Sequence, residues 1–373
     1  MSKQKIQLSD HFDYSRLLRF VLPCVGTMLF TSIYGIVDGL CVSNFVGKTA
    51  FAAVNLIMPV PMLVGSVGFM LGTGGSAIVG ITLGEGDREK ADRYFSLFVW
   101  TGLVAGLLLA VVGFFAVRPA ASLLGAKGEM LDYAVRYGRL LMACLPFFIL
   151  QNMFQSFFVT AENPHLGFAF TVAAGVTNMV LDVVLVGMLH GGVEGAAIAT
   201  FISQAVGGVL PVFYFLNKRS TSSIHLGRAQ WNGGVICSAC INGSSELMTN
   251  LSMSLVNILY NYQLLRFAGE NGVAAYGVIM YAAFLFVAVF VGYAVGSAPI
   301  VSYHYGARNH AELNNLYSKS LRLIGVIAVV MTVLSMLVIP YVARIFVGYD
   351  AELLALTSHA FRVYALNFFL MGF

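Results

Sequence analysis

Residues 45–96 of this chain recur, without a gap, 222 positions further on. Phe45, Gly47, Ala52, Ala53, Met58, Gly74, Ile78, Val79, Gly84 and Ser96 return as Phe267, Gly269, Ala274, Ala275, Met280, Gly296, Ile300, Val301, Gly306 and Ser318, and about a quarter of the stretch is identical. Similar composition alone would scatter such matches over several offsets. One register held through two apolar segments and the polar turn after them implies a duplicated unit, and so a fold of two similar halves.

The medium follows from composition. With 58% hydrophobic and 10% charged residues and a mean hydropathy of +0.82, the chain is too apolar for a soluble domain. Its 39 Gly and 16 Met suit close helix packing in lipid, and a dispersed net charge of +4 argues against nucleic acid as a partner. Spanning a hydrocarbon core takes roughly 20 apolar residues per helix. Ten segments qualify, near 17–43, 50–81, 94–117, 131–158, 166–189, 193–216, 235–265, 273–304, 318–342 and 354–373. The runs are long and do not alternate, so they predict an all-α polytopic membrane protein rather than a barrel. The first span is too long for a signal peptide and lacks a cleavage signature.

Orientation and repeat symmetry then follow. Thirteen Lys and Arg residues, in the groups Lys3 to Arg19, Arg88 to Arg93, Lys218 to Arg228 and Arg308 to Arg322, fall on one side, against seven on the other. That side, with the N-terminus, is expected to be the cytoplasmic face of the inner (plasma) membrane. Six spans separate corresponding points of the repeat, and an even number returns the chain to the same side, so the halves are parallel repeats. The reading divides the chain into an N-terminal lobe of helices 1–6 (residues 1–220), a cytoplasmic linker (221–234) and a C-terminal lobe of helices 7–10 (235–373). The corresponding end of the second bundle falls about 65 residues beyond Phe373. The sequence therefore reads as C-terminally truncated, with about ten of twelve helices.

Ionisable residues within spans cost about 2.5–3.5 kcal/mol each on insertion scales, which makes each a functional candidate. Asp38 lies late in the first span, Asp182 in the fifth and Glu246 in the seventh, all in apolar surroundings. Asn178 and Asp182 are four apart and share a helix face. Asn152 and Gln155 in the fourth span, and Thr200 and Gln204 in the sixth, are polar company for the carboxylates. Each of these residues can instead serve only to hydrogen-bond a neighbouring helix, and for Glu246 the two readings weigh equally.

At these residues the chain resembles the multidrug and toxic compound extrusion (MATE) family of antiporters. Val37-Asp38-Gly39, followed by Gly47, Ala50, Ala52, Ala53 and Pro59, is similar to that family's opening signature, and Gly84-Glu-Gly-Asp87 resembles its turn before the third helix. The nearest likeness is to the bacterial and archaeal DinF-like branch. The resemblance implies a cation-coupling set of Asp38, Asn178, Asp182, Thr200 and Asn152, with H⁺ or Na⁺ as the coupling ion and no other cofactor. Pro23 is the counterpart of a proline that kinks the first helix of that branch, and it leaves the carbonyl of Arg19 without a donor. Glu246 falls near the seventh-helix acid of other branches, but no tenth-helix carboxylate accompanies it. The implied activity is efflux of amphipathic or cationic small molecules by a monomeric carrier that works by alternating access. It is not an enzyme.

Other chemistries find little support. Cys237-Ser-Ala-Cys240 is a lone pair at the start of a membrane helix, Gly72-Thr-Gly74-Gly75 lies inside a helix rather than after a strand, and neither a Walker motif nor HExxH occurs. Two rival functions stay open. A flippase for a lipid-linked sugar would need basic residues lining its cavity, whereas almost all Lys and Arg here lie at helix ends or in loops. A non-transporting membrane scaffold would use the carboxylates structurally.

Overall fold

The structure is a computed structural model that describes residues 6–46, 48–347 and 351–371. The described residues form twelve α-helices and one π-helical turn, without strands. The helices are α1 (Tyr14–Phe45), α2 (Lys48–Ile57), α3 (Pro59–Gly84), α4 (Arg88–Leu123), α5 (Gly128–Ala143), α6 (Leu145–Thr160), α7 (Pro164–Asp182), α8 (Gly192–Leu216), α9 (Gly233–Gly306), α10 (His310–Val347), α11 (Ala351–Ala365) and α12 (Asn367–Met371). Among the described residues, seven stretches are long and apolar enough to cross a membrane, or eight if the bent pair α5 and α6 counts as one span. The chain is a multi-pass membrane protein.

Two of the expected spans are broken where proline enters the first turn of a helix. The second splits at Met58, before Pro59, into α2 and α3, and the fourth splits at Cys144, before Pro146, with a bend of 55°. Proline is favoured at such a position because its missing N–H is one of the unpaired donors of any helix start. At Pro23, by contrast, α1 continues unbroken, and the hydroxyl of Thr27 donates to the Pro23 carbonyl at 2.9 Å.

The seventh and eighth expected spans form one unbroken helical run, α9, of 74 residues. A straight rod of that length would measure roughly 110 Å, several times the thickness of a bilayer core. It is not straight. The rings of Tyr260 and Tyr276 stack with centroids 5.4 Å apart, although sixteen helical residues would separate them by roughly 24 Å. Ala239 and Ser302 also meet α3 only six residues apart, at Gly74 and Gly80. The run therefore doubles back between Tyr260 and Tyr276, giving two antiparallel arms in place of the two expected spans.

The two halves pack as the duplication requires. A Cβ on Gly84 would collide with the Tyr303 carbonyl, and one on Gly306 with the Ile81 carbonyl; each residue of one contact lies 222 positions from its mate in the other. Further along, Gly74 presses on Gly243 while Gly296 presses on Val21, again mates at the same offset. Glycine allows these backbones to approach more closely than any side chain permits. The turns that follow match too. Gly86 (φ 89°) and Arg308 (φ 53°) are both left-handed, and the next residue caps a helix in each case: Lys90 N–H donates to Asp87 at 3.0 Å, and Glu312 N–H to Asn309 at 3.1 Å.

At this basic end the N-terminal segment straps the halves together. Leu8 N–H donates to Glu162 on the α6–α7 turn at 2.8 Å, while Phe12 N–H donates to Glu312 on α10 at 2.9 Å. His11 Nδ1 lies 2.6 Å from the other Glu312 oxygen, and Lys319 and Asn315 donate to the Phe12 carbonyl. Leu8 and Phe12 are fully buried beside Cys24, Tyr293 and Ile300. The segment between α8 and α9 is fastened to the first half, with His225 N–H on Asp92 at 2.8 Å, Gly227 N–H on Ser96 at 2.9 Å and Ser223 Oγ on Glu162 at 2.6 Å.

Candidate functional site: a carboxylate pair inside the first bundle

Four helices of the first half converge on one polar point. Asp182 ends α7, where the helix passes into the π-helical turn Val183–Met188, and Asn178 sits one turn earlier on the same face. Such turns widen a helix locally and occur disproportionately at functional sites. Asp38 comes from α1, and its carboxyl group faces that of Asp182 within hydrogen-bonding reach. Tyr137 of α5 turns its hydroxyl toward both carboxyls and toward Thr200 of α8.

These side chains are buried yet poorly satisfied. Asp38 is 5% exposed, Asn178 2%, and Asp182 and Tyr137 are fully buried. Asp38 Oδ1, both Asp182 oxygens, Asn178 Nδ2 and the Tyr137 hydroxyl have no hydrogen-bond partner among the described residues. Nor does any Lys, Arg or His among the described residues form an ion pair with either aspartate. Buried polar groups are nearly always paired, because leaving one unpaired costs about 1–3 kcal/mol and a bare charge far more. Two facing buried carboxyls without a counter-ion can be neutralised by a shared proton or by a cation held between them. The oxygens of Asp38, Asp182, Asn178, Thr200 and Tyr137 are hard donors, suited to a shared proton or a small hard ion.

Thr200 also lines a cavity of about 50 Å³, with Met58, Pro61, Met62, Leu141, Leu145, Phe148 and Gln204. Its hydroxyl donates to Ala196 O at 3.0 Å, leaving its lone pairs for the site. Gln204 accepts from the Cys144 thiol at 2.8 Å, at the break between α5 and α6.

Asn152 is buried on α6 with Nδ2 unpartnered, makes no hydrogen bond to Asp38 or Asp182, and lies with its backbone against Gly72 of α3. Glu246 lies half-buried on the first arm of α9, in the other half, with its own carbonyl accepting from Asn250 at 2.8 Å. No group of three His, Cys, Asp or Glu among the described residues has the placement to hold a metal ion. Tyr137 is the residue that sequence reasoning missed. One tyrosine among 17 carries no distinguishing signal in an apolar helix, and only the fold shows where its hydroxyl points.

Comparison with known proteins agrees with this architecture. The MatE family profile matches residues 23–184 and 247–373. The multidrug export protein MepA of Staphylococcus haemolyticus (strain JCSC1435) is 24% identical over 331 residues, covering 89% of this chain and 73% of its own length. MepA of Staphylococcus aureus (strain N315) is 24% identical over 317 residues, covering 85% and 70%. Among solved structures, the outward-facing conformation of a multidrug resistance MATE family transporter of the MOP superfamily superposes with a TM-score of 0.92 at 24% identity, covering all of this chain and 83% of that one. A MATE in complex with MaD5 gives 0.88 at 25% identity, covering 100% and 84%. With the family profile spanning most of its length, the chain belongs to the MatE family.

Proposed function

We propose that this protein is a secondary active multidrug efflux transporter that exports amphipathic or cationic small molecules in exchange for H⁺ or Na⁺. The observation that carries the reading is the buried Asp38–Asp182 pair, which faces inward with no protein cation to neutralise it. Transport and not catalysis is the activity of the relatives' kind.

The mechanism follows from the geometry. A cation entering from outside settles between Asp38 and Asp182, with Asn178, Thr200 and Tyr137 supplying neutral oxygens and Asn152 lending a further polar group behind them. A ligand moves an equilibrium only by its differential affinity, so cation entry must favour the shape that releases drug outward and returns the carrier. One inward charge supplies about 2.3 kcal/mol per 100 mV, enough for roughly a fifty-fold gradient of a neutral solute without nucleotide. Glu246, on α9 in the other half, lies outside this set of ligands. The protein acts as a monomer in the plasma membrane, its N-terminus and the N-terminal strap on the cytoplasmic side, consistent with the Lys and Arg bias.

Dye efflux from proteoliposomes under separately imposed proton and Na⁺ gradients tests the reading, with wild type beside Asp38→Asn. Wild-type efflux driven by one gradient and lost in the variant is expected. Undiminished coupled efflux in Asp38→Asn would remove the carboxylate pair from the mechanism.

A further inference from the structure

We propose that the second half carries, at the place related by the duplication to Asp38, a subsite for planar aromatic cations built on Tyr260 and Tyr276. The proposal rests on the transport reading above and adds where the drug is held.

The register around Asp38 is pinned on both sides by packing. Val21 and Gly243 make matching contacts before it, and the pairs Gly74 with Gly296 and Ile81 with Tyr303 do so after it, all at the 222-residue offset. The mate of Asp38 is therefore Tyr260, and Glu246 is the mate of Cys24. Where the first half presents a carboxylate, the second presents a ring.

That ring does not stand alone. Tyr260 lies parallel to Tyr276, with centroids 5.4 Å apart and planes 3° from parallel, and the Tyr364 hydroxyl is within electrostatic reach of both. Tyr364 meets Phe368 edge-on at 5.6 Å, and Phe368 meets Phe286 at 4.9 Å, so a line of rings runs through the second half. The first-half mates of Tyr276 and Phe286 are Val54 and Val64. The first half therefore presents no ring at these two related positions.

The chemistry separates the two ligands. A phenol ring presents a negative face without a net charge, so it attracts an organic cation laid over it within about 6 Å and stacks on a flat one. It offers a small hydrated cation no anionic oxygen. With the carboxylate pair at one of the two related positions and the stacked tyrosines at the other, coupling ion and drug need not contend for the same atoms. Competition then runs through the conformational equilibrium.

Binding of ethidium to the purified protein, read by fluorescence anisotropy, tests this with Tyr260→Phe, Tyr260→Leu and Tyr276→Leu. Tyr260→Phe keeps the ring and is expected to bind within about two-fold of wild type, while each Leu variant weakens binding by roughly 2- to 30-fold. Thermal stabilisation by Na⁺ or by protons, which reports the carboxylate pair, should stay as in wild type in all three. Leu variants that bind ethidium as wild type does would overturn the subsite, as would a Phe variant that fails as badly as Leu. Wild-type protein that binds no ethidium would overturn the transport reading itself.

Discussion

At the residue scale, the proposed cation site is defined by what its atoms lack. Asp182 is fully buried with both oxygens unpaired, and the Tyr137 hydroxyl beside it is equally unsatisfied. Removing that hydroxyl leaves the packing intact and deletes an orphaned polar atom, so Tyr137→Phe should be as stable as wild type in the cation-free state, or slightly more so. It should also bind its cation more weakly, by about 2- to 10-fold, the worth of one ordinary hydrogen bond. Thermal unfolding across a series of Na⁺ concentrations and pH values separates the two effects, since a ligand raises stability by RT ln(1 + [L]/Kd). A variant whose midpoint responds to cation like wild type would take Tyr137 out of the site. Asp182→Asn should largely remove the response to Na⁺, because a single buried carboxyl can be neutralised by one proton and the amide adds no charge to hold a metal cation.

At the scale of elements, the duplication supplies an internal control. Gly84 and Gly306 make mirror contacts, each against the backbone of the other half, so neither can shift without moving a whole helix. Gly84→Ala and Gly306→Ala should each destabilise by about 1–3 kcal/mol, the usual cost of overpacking, and by similar amounts because their surroundings are related by the repeat. Gly35→Ala, where a Cβ meets nothing within 4 Å, should be neutral or stabilising by up to about 1 kcal/mol. Thermal melts of the three variants in one detergent check the set; a large asymmetry between the first two would show that the halves do not pack as mates.

The elements also show what was legible in the sequence. Asp38, Asn178 and Asp182 announced themselves because charge in an apolar run is expensive and a spacing of four fixes a shared face. The breaks at Met58 and Cys144 were hidden, although Pro59 and Pro146 were in plain view, because a hydropathy window averages over one missing hydrogen bond. Pro23 drew notice as a kink, and there the helix does not break: α1 is continuous through it, with Thr27 bonded to its carbonyl. Local chemistry marks where a helix can break; the neighbours decide where it does.

At the scale of the whole molecule, the question is what holds one end shut. The halves meet through Gly84, Tyr303, Gly306 and Ile81 at the basic end, and the N-terminal strap is bonded to Glu162 on one half and Glu312 on the other. Glu312 is only 6% exposed and receives Phe12 N–H, Asn315 and His11, so Glu312→Ala strands two donors and frees the ring in one step. If the halves rock to pass substrate, this end must part, and the strap must let go of at least one side. The native thiol of Cys24 reports the event, since it is 4% exposed and packed against the same cluster and against Gly296 of α9. With the other cysteines replaced, Glu312→Ala should raise the labelling rate of Cys24 by roughly 10-fold or more, as the loss of about 1.5–3 kcal/mol of charge-assisted hydrogen bonding implies. A drug that favours the opposite, outward-open shape should slow that labelling again. Labelling unchanged by the substitution, in a variant that still melts cooperatively, would mean that the glycine crossings alone keep this end closed and that the strap merely follows them.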